Sequence, residues 1–168
     1  MKTLTTCALV LLMSTAVAFG GEKKEQGVSI SFDSDDARTR LAPRHALRDA
    51  RVAVRTRNGA AVLLLTGDVV AVQLSETALA AVKTDEDANL LEEMLVAGVR
   101  AAVRKSVEYP IADIRSAEIR NGSLVLTNDD GKPVFDEIKV NGSNVTHDLS
   151  TADAARFVNA FRAAKARR

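Results

Sequence analysis

Apolar and polar residues alternate through much of residues 111–149, which predicts a run of antiparallel strands. Three turn signals divide this stretch: Asn121-Gly122, residues 128–131 and residues 141–143. Asn-Gly is the pair that accepts positive φ at both centres of a type I′ hairpin turn. The intervening segments are therefore predicted as a four-stranded meander, with strands at residues 117–120, 123–127, 134–140 and 144–149. Pro133 is expected at the start of its strand because it has no N–H to donate.

A helix beginning at Thr151 is predicted directly after these strands. Ser150 is placed to act as its N-cap, and Asp153 supplies a weaker form of the capping box. Apolar residues recur there at helical spacing and form one stripe: Ala154, Phe157, Val158, Phe161 and Ala164. We expect this stripe to pack on the meander. The neighbours expected for the two phenylalanines are Ile119, Leu126, Phe135 or Val140.

The first half of the chain shows a second group of strands. Residues 50–57 alternate, and one face of the predicted strand carries Arg51, Arg55 and Arg57. Asn58-Gly59 turns the chain into residues 60–65, a continuous apolar run typical of a central strand that is covered on both faces. Residues 69–74 are predicted as the next strand. Ser75 is expected to cap a short helix that ends at Val82.

A long amphipathic helix is predicted from Asp85 to Val107. Thr84, with Asp87 three residues later, marks its start, and Tyr109-Pro110 ends the pattern. Acidic residues in its first turn and basic residues in its last turns suit the helix dipole. The predicted fold class is α+β, in which antiparallel hairpins and the meander are packed by this long helix and by the C-terminal amphipathic helix.

The N-terminal residues have the pattern of a secretory signal peptide. Lys2 precedes an uncharged stretch that ends at Gly20, and Ala16-Val17-Ala18 supplies a small-x-small cleavage signal. The apolar run is shorter than the roughly 20 residues that a membrane-spanning helix needs. Cleavage is expected after Ala18 or Gly20. Residues 1–20 are therefore assigned to the signal peptide, residues 21–47 to a partly ordered polar leader and residues 48–168 to a single α+β domain.

Removal of the predicted signal peptide changes the composition of the mature chain. Cleavage removes the only cysteine, Cys7, so no disulfide is expected although the chain enters an oxidising compartment. The loss of Lys2 leaves 23 − 1 = 22 basic residues against 22 acidic ones, which argues against nucleic acid as the main partner. A periplasmic or secreted location is predicted, with no stable membrane insertion after cleavage.

The sequence shows no motif that carries catalysis. It contains no Gly-x-Ser-x-Gly elbow and no phosphate-binding loop, and neither His45 nor His147 has a second ligand at the spacing of a zinc site. No cofactor, metal site or catalytic residue is therefore predicted.

Two hypotheses for function follow. The first is an exported, non-catalytic binding protein whose partner is a protein of the cell envelope, with Arg51, Arg55 and Arg57 as the binding surface. A solvated sheet face is the simpler explanation of the same arginines. The alternative is a small hydrolase or metal-dependent enzyme whose site forms only in the fold. Its candidate residues are His147 with Asp113, Asp136 or Asp148.

Overall fold

The computed structural model describes residues 36–81 and 104–167, together with the backbone of two short strands, Leu9–Val10 (β1) and Ile30–Phe32 (β2). These residues form antiparallel sheets and two α-helices. The mixed α+β class, with mostly antiparallel strands, is therefore confirmed.

The larger sheet has five strands in the order β3-β7-β6-β5-β4, so β3 and β4 are its edges. Its strands are Arg40–Pro43 (β3), Val52–Arg55 (β4), Ala61–Leu65 (β5), Val69–Leu74 (β6) and Lys105–Pro110 (β7). Every residue of β5 is buried, as predicted for a central strand. The edge strand β3 lies within the segment predicted as a polar leader.

A short helix, α1 (Glu76–Ala81), follows β6. The Ser75 hydroxyl accepts the Ala78 N–H at 3.0 Å, which is the predicted N-cap. Ala78 is buried in the main core and Leu79 packs against it, so the capped helix contributes to that core.

Strand β7 contradicts the end of the predicted long helix. Residues 105–107, which were predicted as the last helical turn, pair with β3, and residues 106 and 107 also pair with β6. The sequence did not indicate a strand here because both faces of β7 are covered. Ser106 and Glu108, on the face opposite Val107 and Tyr109, are polar but buried. Residues 85–103 of the predicted helix lie outside the described residues.

A second sheet has the order β10-β9-β8. Its strands are Ile114–Arg120 (β8), Ser123–Asn128 (β9) and Pro133–Val134 (β10). Asn121 and Gly122 have φ of 52° and 79°, which confirms the predicted turn between β8 and β9. Pro133 begins its strand, as predicted.

The predicted third strand, residues 134–140, is wrong because it breaks after Val134. Phe135 has φ of 65°, which takes the backbone out of the ladder, and the Ile138 N–H donates to the Phe135 carbonyl at 3.2 Å to close a turn. The chain resumes as β11 (Lys139–Val140), which pairs with β12 (Ser143–Asn144) and with β2 in another sheet.

The predicted fourth strand, residues 144–149, is also wrong. The side-chain oxygen of Asn144 accepts the Thr146 N–H at 2.9 Å and the Thr146 hydroxyl at 2.7 Å. The Asp148 N–H then donates to the Asn144 carbonyl at 3.0 Å. This side-chain turn competes with a strand ladder and reverses the chain before the last helix.

The last helix, α2, runs from Thr151 to Lys165, as predicted. Ser150 caps it by accepting the Asp153 N–H at 3.0 Å, and the five residues of the predicted stripe are buried. The helix contacts β4 and β5 of the larger sheet and β8 and β9 of the second sheet. Ile119, one of the proposed neighbours of the stripe, is 39% exposed.

A backbone bridge also joins the two halves of the chain. Thr56 pairs with Leu149, and the Arg57 N–H donates to the Asp148 carbonyl at 2.6 Å. The residues directly before α2 are therefore fastened to the end of β4.

Candidate functional site

A cavity of about 450 Å³ lies between the segment 36–39 and the loop 130–138. Asp36, Arg38 and Tyr109 form one part of its wall. The other part comes from residues 132–138, where the chain leaves β10 and turns towards β11.

The Asp36 carboxylate is the centre of a hydrogen-bond network in this wall. Its Oδ1 accepts the Arg38 N–H at 3.0 Å and the Arg38 Nε–H at 2.8 Å. Its Oδ2 accepts from Arg38 Nη2 and the Tyr109 hydroxyl, both at 2.8 Å, and from Asn128 Nδ2 at 3.1 Å. These bonds fasten the segment 36–39 to β7 and β9.

The network fixes the charge of each member. The side-chain hydrogen bonds from Arg38 hold the pKa of Asp36 well below its ordinary value against the opposing effect of burial. Hydrogen bonds to Asp36 and Asp130 raise the pKa of Arg38 above its ordinary value. Burial raises the pKa of Tyr109 to about 12. At neutral pH these groups are therefore a carboxylate, a guanidinium and a neutral phenol.

This charge pattern is unsuited to proton transfer. A general acid or base works best when its pKa lies near the operating pH, but the pKa values of Asp36 and Tyr109 are displaced in opposite directions, away from neutrality. Asp36 and Arg38 therefore act as a structural fastening of the cavity wall.

Aromatic contacts complete the same wall. The Arg38 guanidinium carbon lies 5.6 Å from the centroid of the Tyr109 ring, a cation–π distance. The Phe135 ring meets Tyr109 edge to face, with centroids 6.3 Å apart and an interplanar angle of 85°. Phe135 is 6% exposed, so its ring is part of the core as well as of the cavity.

The backbone of Phe135 is strained, since a bulky residue rarely adopts φ of 65°. Phe135→Gly and Phe135→Ala both remove the ring, but only alanine retains the steric penalty of a Cβ at positive φ. We expect the glycine variant to be more stable than the alanine variant by about 1 kcal/mol. Urea unfolding of the two proteins measures this difference. The same pair of changes at Val134, in β10, is the control, and alanine should be the better residue there. Equal or greater stability of Phe135→Ala would contradict the strain.

The predicted arginine surface lies at the β4 edge of the larger sheet, whereas the cavity lies near β7. Arg51 and Arg55 have exposed side chains that flank Ala53 on the edge strand β4, and the residues between them, Val52 and Val54, are buried. Arg57 lies beyond the strand, where its Nη2 donates to the His147 carbonyl at 3.1 Å and its Nε is 3.7 Å from Asp148 Oδ1. Arg51 directly precedes β4 and Arg55 is its last residue, so these two arginines lie at the two ends of the edge strand.

The backbone edge of β4 is partly covered. The Thr56 N–H donates to Ala61 O at 3.0 Å, so antiparallel alternation turns the backbone groups of Ala53 and Arg55 away from β5. Arg156 of α2 donates to the Ala53 carbonyl at 2.9 Å. A partner of this surface would consequently meet arginine side chains more readily than a free backbone ladder.

The candidate enzyme residues are only partly brought together. His147 Nε2 lies 3.4 Å from Asp136 Oδ1, and both side chains are about half exposed, at 51% and 49%. Asp148 instead accepts the Asn58 N–H at 3.2 Å, and Asp113 belongs to a single-turn helix, Ile111–Asp113, between β7 and β8. His147 is not among the residues that line the cavity.

The sequence pattern did not reveal a buried polar cluster around Glu108. The Glu108 carboxylate is 5% exposed and lies 2.6 Å from His45 Nε2. It also accepts hydrogen bonds from Arg40 Nε at 3.2 Å and from the Ser106 hydroxyl at 3.3 Å. Gln73 also clamps the His45 backbone, accepting its N–H and donating to its carbonyl, each at 3.1 Å. Because Ser106 is fully buried, its hydroxyl is not offered to a substrate, and the cluster fastens residues 40–45 to the sheet.

Metal ligands and membrane-spanning helices are the two remaining features to consider. In the described parts of the chain, no three His, Cys, Asp or Glu side chains are grouped so as to hold a metal ion. Neither helix of the described residues has the length and apolar character needed to cross a bilayer. Comparisons of this chain with protein-family models, curated proteins and solved structures return no match.

Proposed function

We propose that this chain is a non-catalytic binding protein whose partner is another protein, and that Arg51 and Arg55, at the two ends of β4, form the contact surface. The observation that supports this proposal is that both side chains are exposed and have no carboxylate partner among the described residues. Arginines of the two polar networks, Arg38 and Arg40, are instead held by carboxylates. The proposal includes export to the periplasm or the medium after removal of the predicted signal peptide.

The spacing of the two arginines favours an extended acidic segment. Arg51 and Arg55 are four residues apart, which separates their Cα atoms by about 13 Å in an extended chain. A guanidinium recognises a carboxylate through two parallel hydrogen bonds, which a lysine ammonium does not offer. Two acidic residues at similar spacing on a partner would therefore engage both arginines.

An enzyme built around His147 has less support. His147 is within ion-pair distance of Asp136 alone among the described carboxylates, and both side chains are half exposed. In the cavity wall, Asp36 and Arg38 are ions and Tyr109 is a neutral phenol, as described above. A hydrolytic site would need a second carboxylate or a nucleophile, and the described residues do not place either beside the pair of His147 and Asp136.

The test is affinity capture from a periplasmic extract with the wild-type protein and with Arg51→Glu/Arg55→Glu. We expect the charge reversal to weaken binding of the captured partner by about tenfold or more, because each arginine contact becomes a repulsion. The control is Arg115→Glu/Arg162→Glu, which changes the same net charge at exposed arginines on β8 and α2. Titration of the purified partner measures the dissociation constants.

Equal dissociation constants for the partner in the two double variants would contradict the proposed surface. Failure to capture any protein, together with a hydrolytic activity that His147→Ala abolishes, would replace the proposed function by the enzymatic alternative. Circular dichroism of each variant checks that loss of binding does not come from loss of the fold.

A further inference from the structure

We propose that the cavity between the segment 36–39 and the loop 130–138 binds a small organic cation, an amine with an apolar body. This site is separate from the arginine surface, and the inference does not depend on the proposed function.

The size and lining of the cavity suit a small molecule. Its volume of about 450 Å³ lies within the range of roughly 300 to 1,000 Å³ that is common for ligand sites. Pro133, Val134, Phe135 and Ile138 supply apolar surface to its wall. The strained backbone of Phe135 holds an aromatic ring against Tyr109 at this position, and strain of this kind is concentrated at ligand sites.

The charge balance of the cavity favours a cation. Four carboxylates line it, those of Asp36, Asp130, Asp136 and Glu137, against two cations, Arg38 and Lys132, so its net charge is 2 − 4 = −2. Arg38 is already bonded to Asp36 and Asp130.

A ligand that leaves this internal network intact therefore meets two carboxylates, those of Asp136 and Glu137, and one cation, the ammonium of Lys132. Asp136 and Glu137 are both exposed, and the nearest basic group to Asp136 is His147 at 3.4 Å. An anionic ligand would enter a negative cavity, and a neutral ligand would form no ion pair with the two carboxylates.

The protein itself provides a precedent for this chemistry. The guanidinium of Arg38 is an organic cation that lies over the Tyr109 ring and is held by two carboxylates of the same wall. The carboxylates of the wall continue towards Asp136 and Glu137, which are exposed, whereas the rings of Tyr109 and Phe135 are buried. A ligand ammonium at the mouth of the cavity would pair with carboxylates as the Arg38 guanidinium does.

Three probes of nearly equal size and different charge test the inference with the full chain. They are 2-phenylethylamine, 2-phenylethanol and phenylacetate, which are a cation, a neutral molecule and an anion at pH 7. Titrations followed by two-dimensional amide NMR should show saturable shifts for the amine at residues 132–138 and Tyr109. We expect the alcohol to bind about threefold to tenfold more weakly and phenylacetate to bind more weakly still. Added salt should weaken binding of the amine and leave binding of the alcohol unchanged.

Asp136→Asn/Glu137→Gln is the decisive variant, and we expect it to weaken amine binding by about threefold to tenfold while binding of the alcohol is unchanged. The matched control, Asp49→Asn/Glu118→Gln, removes two carboxylates that do not line the cavity and should leave the amine affinity unchanged. Equal affinity for amine and alcohol, shifts confined to other residues, absence of saturable amine binding, or an equal loss in both double variants would each overturn the inference. The three probes test the first three of these outcomes on the wild-type protein even where a variant unfolds.

Discussion

Replacing Phe161 by alanine is expected to lower the free energy of unfolding by about 3 to 5 kcal/mol. The Phe161 side chain is 2% exposed and belongs to the main core, together with Phe157 and Val158 of the same helix face. Because α2 contacts strands of both the larger and the second sheet, a cavity at this position weakens the attachment of the helix to both. The chain has only five phenylalanines and no tryptophan, so few other large side chains are available to fill the space.

Urea unfolding followed by circular dichroism measures this loss, and Arg162→Ala is the matched control. Arg162 is the next residue of the helix and its side chain is exposed, so its replacement should change the free energy of unfolding by less than about 0.5 kcal/mol. A loss below about 1 kcal/mol for Phe161→Ala would show that the helix face is not packed as described.

The second large effect is expected at Asp36, where replacement by asparagine should destabilise the protein by about 2 to 3 kcal/mol at pH 7. Asparagine keeps the shape of the side chain but removes the charge that Arg38 pairs with. It also places an amide donor where the Tyr109 hydroxyl and the Asn128 amide donate at present. The fastening between the segment 36–39 and the sheet is therefore weakened at several points together.

The pH dependence of this effect has a defined sign. Because hydrogen bonds from Arg38 lower the pKa of Asp36 in the folded state, the stability that the carboxylate contributes is fully present above its unfolded-state pKa of about 3.9. It is lost as the pH falls below that value towards the lower folded-state pKa. The difference between wild type and Asp36→Asn should be constant between about pH 5 and pH 8 and should narrow below about pH 4.

Urea unfolding at a series of pH values measures the narrowing. Asp129→Asn, which removes an exposed carboxylate from the adjoining turn, should shift the free energy of unfolding by less than about 0.5 kcal/mol at pH 7. A wild-type advantage over Asp36→Asn that widens as the solution is acidified would be inconsistent with an ionised Asp36 in the folded protein.

Local signals were sufficient to predict the elements that depend on neighbouring residues. The cap at Ser150 and the apolar stripe of α2 lie within about fifteen residues of chain, and the Asn121-Gly122 turn lies within two. The cap depends on a side chain that accepts the first helical N–H groups, and the turn depends on residues that tolerate positive φ. Each of these can be recognised in a short segment.

The incorrect predictions depend on residues that are distant in sequence. Glu108 is buried in a strand where His45 and Arg40, 63 and 68 residues away, contact its carboxylate, and local periodicity does not reveal either partner. The cavity wall likewise joins Asp36 to Tyr109 and Asn128, which are 73 and 92 residues distant. At Phe135 the break in the strand is imposed on a residue whose own preference is for a strand.

The bridge between Thr56 and Leu149 also determines when the first hairpin can finish folding. During synthesis, β4 and β5 leave the ribosome long before Leu149 and α2, which supply the pairing partner of Thr56 and part of the apolar cover of both strands. Closing contacts across such a long stretch of chain is slow, so these strands wait for the last helix before they are buried. For a chain exported as we propose, this order of assembly postpones a compact state until nearly all of the polypeptide has been made, and it thereby favours passage through the membrane in an extended form.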